Sequence, residues 1–425
     1  MSLKSSPLLA FQHRNFRLLW FGQLISISGS MMQSAAILWH VSLLVPDDQK
    51  GLALGMVGLV RVVPTIAFSL VGGVVADAIN RRKVMLLTQT AMTVFAALLA
   101  MLTLGGTESL WQLYLLTGLG AAAGAVDNPS RQSLFPNLVP REHLPNAISL
   151  NTIMFEVAAV LGPTLGGLLI ATADIGWVYV VNAASFLAVI ASLLLMRNVP
   201  GHSAGTQRDL SLRSALDGLR FVFRAPLIRS TMLLDFLANF FASAIALLPI
   251  FAQDILNVGA QGYGWLYAAP SIGALLTSLV MVRVVDRIDH RGRLLLWSIV
   301  VYAVITIVFG LSRSFWLTWL CLAIFGASDT VSTVLRNIIR QLHTPDHLRG
   351  RMTSVNMIFF MGGPQLGELE AGVVADLFGA PISVISGGIG ALIATLWIVR
   401  TTPDLAAYRS EEPAPAAPNE AAPAD

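Results

Sequence analysis

The chain has 425 residues, 55% hydrophobic and 12% charged, with a mean hydropathy of +0.70. Soluble domains carry roughly 25% charged residues, so this balance excludes an ordinary soluble protein, and the formal charge of +3 is accounted for by basic turns rather than by a nucleic-acid surface. The single cysteine, Cys321, excludes disulfides, thiolate metal sites and redox pairs within the chain.

A membrane-spanning helix needs about 20 apolar residues. Segments of that kind fall at roughly 16–44, 53–79, 84–105, 109–133, 146–172, 176–197, 229–253, 260–283, 294–312, 314–340, 351–378 and 379–400. The pattern predicts an all-α integral membrane protein with twelve transmembrane helices. Residues 1–15 are polar and the first apolar run is too long for a signal-peptide core, so no cleavable signal is expected. Trp39, Trp111, Trp177, Trp316 and Trp319 cluster near one set of helix ends, and Trp20, Trp297 and Trp397 near the other, as an aromatic belt at each interface. Residues 198–228 form the longest connection. Within it, Leu210 to Phe223 is apolar-periodic with Arg213, Arg220 and Arg224, which predicts an interfacial helix. The Ala/Pro/Glu-rich stretch 401–425 is expected to be disordered.

Lys and Arg alternate in their placement. The even-numbered turns hold Arg81, Arg82 and Lys83, then Arg141, then Arg208 to Arg229, then Arg283 to Arg293, then Arg349 and Arg351. The odd-numbered turns hold only Lys50 and Arg313. Both terminal stretches are basic beside the membrane, through Lys4, Arg14 and Arg17 and through Arg400 and Arg409. The positive-inside rule then places both termini and the basic turns in the cytoplasm.

The fourth and tenth segments repeat weakly. Gly124, Asp127, Pro140 and Asn151 correspond to Gly326, Asp329, Pro345 and Asn356. Two duplicated six-helix halves are therefore expected: 1–197, a linker at 198–228, and 229–400, with 401–425 as the tail. Internally repeated secondary transporters bind substrate and coupling ions at the interface between such halves.

The turn from Gly72 reads GGVVADAINRRKVM, with Gly73, Asp77, Arg81 and Arg82 at fixed spacing. It resembles the signature loop between helices 2 and 3 of the major facilitator superfamily, with Ala78 where an Arg is usual and Asn80 where a Gly is usual. The runs at 15–32, 126–151, 162–167 and 181–189, with 341–356 and 365–372, are similar to the subgroup that includes the enterobactin exporter and macrolide-type drug exporters. The resemblance covers roughly residues 10–400. Gly162, Pro163 and Gly166, with Gly167, resemble the helix-5 motif associated with exporters, whose flat face lets that helix pack closely.

Ionisable groups at membrane depth are costly and usually face a cavity or a partner. The proton-coupling and intramembrane charge candidates are Arg61, Glu156, Asp235, Glu368 and Glu370. Arg61 and Glu370 each lie roughly 12 Å from the outer ends of helices 2 and 11, at 1.5 Å per residue, with Glu368 slightly deeper. The resemblance implies that helices 2 and 11 pack across the halves, so Arg61 is expected to pair with Glu368 or Glu370 and hold the outer side shut. Glu156 lies near mid-membrane, where desolvation disfavours the charged carboxylate and suits it to proton exchange. Asp127 with Arg131, and Asp329 with Arg336, sit at i,i+4 or one turn further and are expected to contribute to a cytoplasmic gate. Asp77 is expected to brace that gate against the start of helix 11. Gln23, Asn239 and Tyr267 are the cavity-lining candidates.

No Walker motif is present, so the chain is not expected to hydrolyse ATP. The seven histidines are scattered and form no catalytic or metal cluster, which points away from an enzyme and requires no cofactor and no metal. The expected function is secondary active export of an amphipathic small molecule, siderophore or drug-like, from a bacterial inner membrane in exchange for protons. The expected partners are the substrate, protons and the lipid bilayer, with no nucleic acid, and the protein is expected to be monomeric. The alternatives are metabolite uptake or facilitated passage, and a non-transporting receptor or scaffold.

Overall fold

The computed structural model describes residues 8–78, 80–197, 219–345 and 348–409; for 69–78, 349–351, 354, 358 and 361 it describes the backbone only. No strand occurs among the described residues, and twelve helices run from 16 to 31 residues. They are α1 (Arg14–Leu44), α2 (Lys50–Ala78), α3 (Arg81–Leu104), α4 (Leu110–Leu134), α5 (Leu144–Thr172), α6 (Ile175–Leu195), α7 (Pro226–Phe241), α8 (Gly259–Val284), α9 (Arg291–Leu311), α10 (Phe315–His343), α11 (Arg349–Phe378) and α12 (Ala380–Thr401). Nine helical stretches among the described residues are long and apolar enough to cross a membrane. The helices outside that set are α1, α4 and α11, which carry the polar and charged residues Gln23, Gln33, Asp127, Arg131, Glu368 and Glu370. Large apolar side chains such as Leu87, Trp111, Val282 and Trp316 are exposed on the outer surface, as a lipid-facing bundle requires.

Local signals set several boundaries. The Asn80 side chain accepts a hydrogen bond from the Arg82 amide at 3.0 Å and caps α3, so the residue that departs from the family pattern does an N-cap's work. Asp174 caps α6 by accepting from Gly176 N at 2.7 Å. Gly379 joins α11 to α12 at φ 90°, a conformation that favours glycine.

The seventh apolar segment differs from a continuous helix over 229–253. It begins at Pro226 and breaks after Phe241 into a 3-10 turn (Ala244–Leu247), one α-turn (Leu248–Ile250) and a π-turn (Phe251–Ile255). Pro249, which has no N–H to donate, favours the interruption. Ser243 in the break donates to the carbonyl of Pro364, itself an interior proline of α11, at 2.8 Å.

Order also extends past the predicted end of the bundle. A short helix, α13 (Pro403–Ala407), buries Leu405 and Tyr408 against α9, where Gly292 N donates to the Tyr408 carbonyl at 3.2 Å. Two apolar anchors therefore hold the start of a stretch whose composition suggested disorder; residues 410–425 lie outside the described residues. Of the expected interfacial helix, 219–224 are helical and 210–218 lie outside the described residues.

Helices α1–α6 pack among themselves, as do α7–α12, and the two sets meet mainly through α2 on α11 and α5 on α8. The ends of the bundle differ. One carries the basic turns and is called the basic end below; the other is the far end. At the far end, a single apolar core joins both halves, with Ala35, Leu38 and Trp39 against Leu248, Phe251, Tyr263 and Ala371. Towards the basic end each half has its own core: Phe16, Leu19, Met85 and Phe135 in one, Leu234, Leu295, Tyr302 and Ile339 in the other.

Candidate transport pathway and coupling residues

Among the described residues, every hydrogen bond and ion pair that joins the halves lies at the far end. Lys50 Nζ lies 3.2 Å from Asp254 Oδ2 and donates to Gln253 Oε1 at 3.3 Å. Gln253 Nε2 donates to Ser42 Oγ at 2.8 Å, and the Tyr263 hydroxyl donates to the Ala35 carbonyl at 2.8 Å. Leu52 N donates to Asp376 Oδ1 at 3.4 Å. Backbones approach closely beneath this layer. A Cβ on Gly55 would sit 2.8 Å from the Glu368 carbonyl, and one on Gly264 of α8 would sit 2.7 Å from the Pro163 carbonyl of α5. Small residues at both crossings allow that approach.

Arg61 sits just inside this closure. Its Nη2 donates to the Ser34 carbonyl of α1 at 3.4 Å. Across the interface, Glu368 Oε2 lies against Gly58, about one turn before Arg61 on α2, where a Cβ would come within 2.8 Å of it. No direct ion pair joins Arg61 to Glu368 among the described residues, and Glu368 Oε2 is buried with no hydrogen-bond partner. Glu370 is half-buried and has no bonded partner among the described residues, whereas Glu368 lies against Gly58 of α2, about one turn before Arg61. Glu156 is likewise half-buried, with no hydrogen bond or ion pair among the described residues.

The strongest charge cluster lies in the second half, nearer the basic end. Asp235 of α7 is 2% exposed and lies 2.9 Å from Arg336 Nη2 and 3.3 Å from Arg340 Nη2. Arg336 also lies 3.6 Å from Asp329. Arg340 donates to the Thr231 carbonyl at 3.0 Å and to Asn356 Oδ1, tying α10 to α7 and α11. Asn239 donates to Asp235 Oδ1 at 3.0 Å and accepts from the Tyr302 hydroxyl at 3.5 Å. Asp235, Arg336, Arg340, Asn356 and Phe360 border a cavity of about 180 Å³. The Phe236 ring stacks on Phe240 and meets Phe359 edge-on, with ring centroids 5.9 Å apart in each case.

The first half solves the same local problem differently. Asp127 accepts from Thr88 Oγ1 at 2.7 Å and from Gln89 Nε2 at 3.2 Å. Arg131 donates to Gln23 Oε1 at 3.1 Å and to Asn128 Oδ1 at 3.0 Å, and lies over the Phe155 ring at 5.2 Å. The direct Asp127–Arg131 ion pair expected from i,i+4 spacing is absent, because neutral donors on α3 satisfy the carboxylate and α1 takes the guanidinium. Asp329 and Arg336 do meet, as expected.

A family model described as transmembrane secretion effector matches residues 5–422. The chain belongs to this family of major facilitator transporters. It is a multi-pass membrane transporter and not an enzyme. Enterobactin exporter EntS of Escherichia coli O1:K1 is 28% identical over 405 residues, covering 94% of this chain and 95% of that protein. The Shigella boydii serotype 18 protein of the same name is also 28% identical over the same length. Among solved structures, a bacterial homologue of the lysosomal transporter Spinster, inward-facing and unoccupied, superposes with a TM-score of 0.72 at 15% identity, covering 93% of this chain and 98% of that one. A POT family transporter bound to 5-aminolevulinic acid gives 0.73 at 12% identity, covering 92% and 96%. These likenesses show the fold.

The signature features of this major facilitator chain are bonded within one half in the present conformation. Arg81 Nη1 donates to the Ser133 carbonyl at the end of α4 at 3.1 Å, and Arg82 Nη2 to the Leu194 carbonyl at the end of α6 at 3.3 Å. Each cation thus meets the negative end of a helix dipole. The side chain of Asp77 and the surroundings of Gly73 lie outside the described residues. On α5, Gly162 and Gly166 face α1 at Ser28 and Met32 within the half, while Pro163 and Gly167 meet Gly264 across it. Tyr267 packs edge-on to Tyr263 at 5.9 Å. The sequence reading missed Asp254, Gln253 and Arg340 as contact makers. Two signals were available: Lys50 was one of two cations in the odd-numbered turns, and Arg340 stands one helical turn after Arg336.

Proposed function

We propose that this transporter exports amphipathic small molecules, siderophore or drug-like, across a bacterial inner membrane by alternating access in exchange for protons. The observation that carries the reading is the one-sided closure: both halves share polar bonds and an apolar core at the far end, and keep separate cores towards the basic end. With the basic end in the cytoplasm, as the positive-inside rule gives, this is the loading state of an exporter. The secretion family and the relatives named enterobactin exporters support the direction. Arg61, Glu156, Asp235, Glu368 and Glu370 supply charges at membrane depth for a proton to bias, and both termini lie with the basic turns, in a monomer.

Everted membrane vesicles test the reading. Enterobactin and ethidium, added outside, are expected to accumulate in vesicles that contain the protein once respiration acidifies the lumen. A proton uncoupler should abolish the accumulation. Accumulation of neither probe above empty-vector vesicles would count against export of this class, and uncoupler-resistant accumulation against proton exchange.

A further inference from the structure

Gln23 and Asp235 fill the same slot in the two halves. Counted from Arg14 of α1 and Pro226 of α7, they stand at the same helical position. They are 1% and 2% exposed. Each gives an oxygen to an arginine of the fourth helix of its half, Gln23 Oε1 to Arg131 at 3.1 Å and Asp235 Oδ1 to Arg336 at 2.9 Å. The architecture therefore builds one contact twice, once with an amide that cannot titrate and once with a carboxylate that can.

We propose that Asp235 is the proton-binding group of the exchange, and that Arg336 and Arg340 clasp it ionised while the basic end is open. This deepens the proton-exchange reading and rests on it. A coupling carboxylate must change a contact between helices when it gains a proton. Among the described carboxylates at membrane depth, Asp235 alone bridges two guanidinium groups, and these belong to α10 while it belongs to α7. Among the described residues Glu156 and Glu370 have no bonded partner, so protonating them alters no such contact in this state.

The neighbours of Asp235 define both states. Arg336, Arg340 and Asp329 face it from α10, Asn356 lies beyond Arg340 on α11, Thr231 and Asn239 flank it on α7, and Tyr302 reaches Asn239 from α9. In the state seen here, a proton has left Asp235 through the bordering cavity, and both arginines hold the carboxylate. Once the far end has opened and the basic end has shut, a proton taken up from the far side converts the carboxylate to a neutral acid. Arg336 then keeps only Asp329 as its anionic partner, and Arg340 keeps Thr231 and Asn356. The α7–α10 clasp loosens to the contact of Arg340 with Thr231, and the new O–H is the one covalent bond that changes.

The test needs no substrate. In the full chain with Cys321→Ala, spin labels at Asn137→Cys and Asp289→Cys, both exposed at the basic end, report the separation of the halves in lipid nanodiscs. The wild-type background is expected to shift from a long to a shorter distance population as pH is lowered. Asp235→Asn keeps an oxygen for Arg336, as Gln23 does for Arg131, and Arg340 retains Thr231 and Asn356, so it should fold, and its distance distribution should be independent of pH. Adding Gln23→Glu to Asp235→Asn should restore a pH response. A pH response in Asp235→Asn equal to the background overturns this proposal alone. A background that ignores pH overturns the proton-exchange reading and this proposal with it. Failure of Gln23→Glu to restore the response overturns the equivalence of the two slots.

Discussion

Lys50 Nζ lies 3.2 Å from Asp254 Oδ2, and the two residues belong to different halves of the molecule. Lys50 has only 8% of its side chain exposed, whereas Asp254 has 43%, so the pair is a half-wet latch on the far end. Asp47, at 2.8 Å, holds Lys50 from its own half and would remain if Asp254 were changed.

Partly exposed ion pairs contribute about 1 kcal/mol or less. Asp254→Asn is therefore expected to raise far-end opening by at most roughly five-fold. The measurement is the rate at which a membrane-impermeant maleimide modifies Ala35→Cys, a buried position behind the latch, on a Cys321→Ala background. An unchanged rate would show that the apolar core alone keeps this end shut.

Gly58 offers a stronger lever. A Cβ there would lie 2.8 Å from Glu368 Oε2 and closer still to the Gln365 carbonyl. Overpacking a tight contact costs about 1–3 kcal/mol, and here the cost falls on the closed far end. Gly58→Val should favour the far-end-open state by about ten-fold or more, read by the same maleimide assay. Wild-type labelling would mean that α11 yields without moving the halves.

Glu368 Oε2 lies against Gly58, about one turn before Arg61 on α2, and forms no ion pair with that arginine. If their electrostatic contact helps to hold the halves together, a double-mutant cycle of Arg61→Ala and Glu368→Gln in detergent should give a coupling of at least about 0.5 kcal/mol, the lower bound for interacting neighbours. Additive losses would make Arg61 a local anchor to the Ser34 carbonyl and nothing more.

His13 and His143 meet at the basic end, with 2.9 Å between Nε2 and Nδ1. Burial, and secondarily the neighbouring His143, lowers the pKa of His13 below the usual histidine value. A base depressed in the folded state contributes stability above its unfolded value, near 6.5, and loses it as pH falls. The melting temperature in detergent should therefore drop on acidification from about pH 7 to about pH 5, with a shallower drop in His13→Gln. Equal slopes would place the acid sensitivity elsewhere.

Helix existence and order were legible in the sequence because a lipid-facing helix must be apolar over its whole length, which leaves a long and redundant signal. Side-chain partners were less legible. The i,i+4 spacing of Asp127 and Arg131 suggested a pair, yet spacing along one helix says nothing about Thr88 and Gln89 on the next, and those neutral donors won. Arg61 stood out as a cation without a topological reason, but the expected ion pair with Glu368 or Glu370 does not form, and Arg61 bonds the Ser34 carbonyl instead. Its carbonyl partner, Ser34, left no trace, because any residue presents a carbonyl. The break after Phe241 was also hidden: Pro249 is the cue, but interior prolines at 64, 129, 163, 270 and 364 leave their helices uninterrupted.

That break has a mechanical consequence. The hydroxyl of Ser243 rests on the Pro364 carbonyl, so the weak point of α7 leans on the proline of α11. Proline leaves the helix around it short of one backbone bond, and the residues beyond Phe241 have left the regular α ladder. Two joints set against each other behave as a pivot. The stretch of α7 that carries Asp235 can then swing as a lever, while the stretch that carries Gln253 and Asp254 stays seated in the far-end core. α1 has no such joint from Arg14 to Leu44. Of the two first helices, only the one that bears the carboxylate is built to bend.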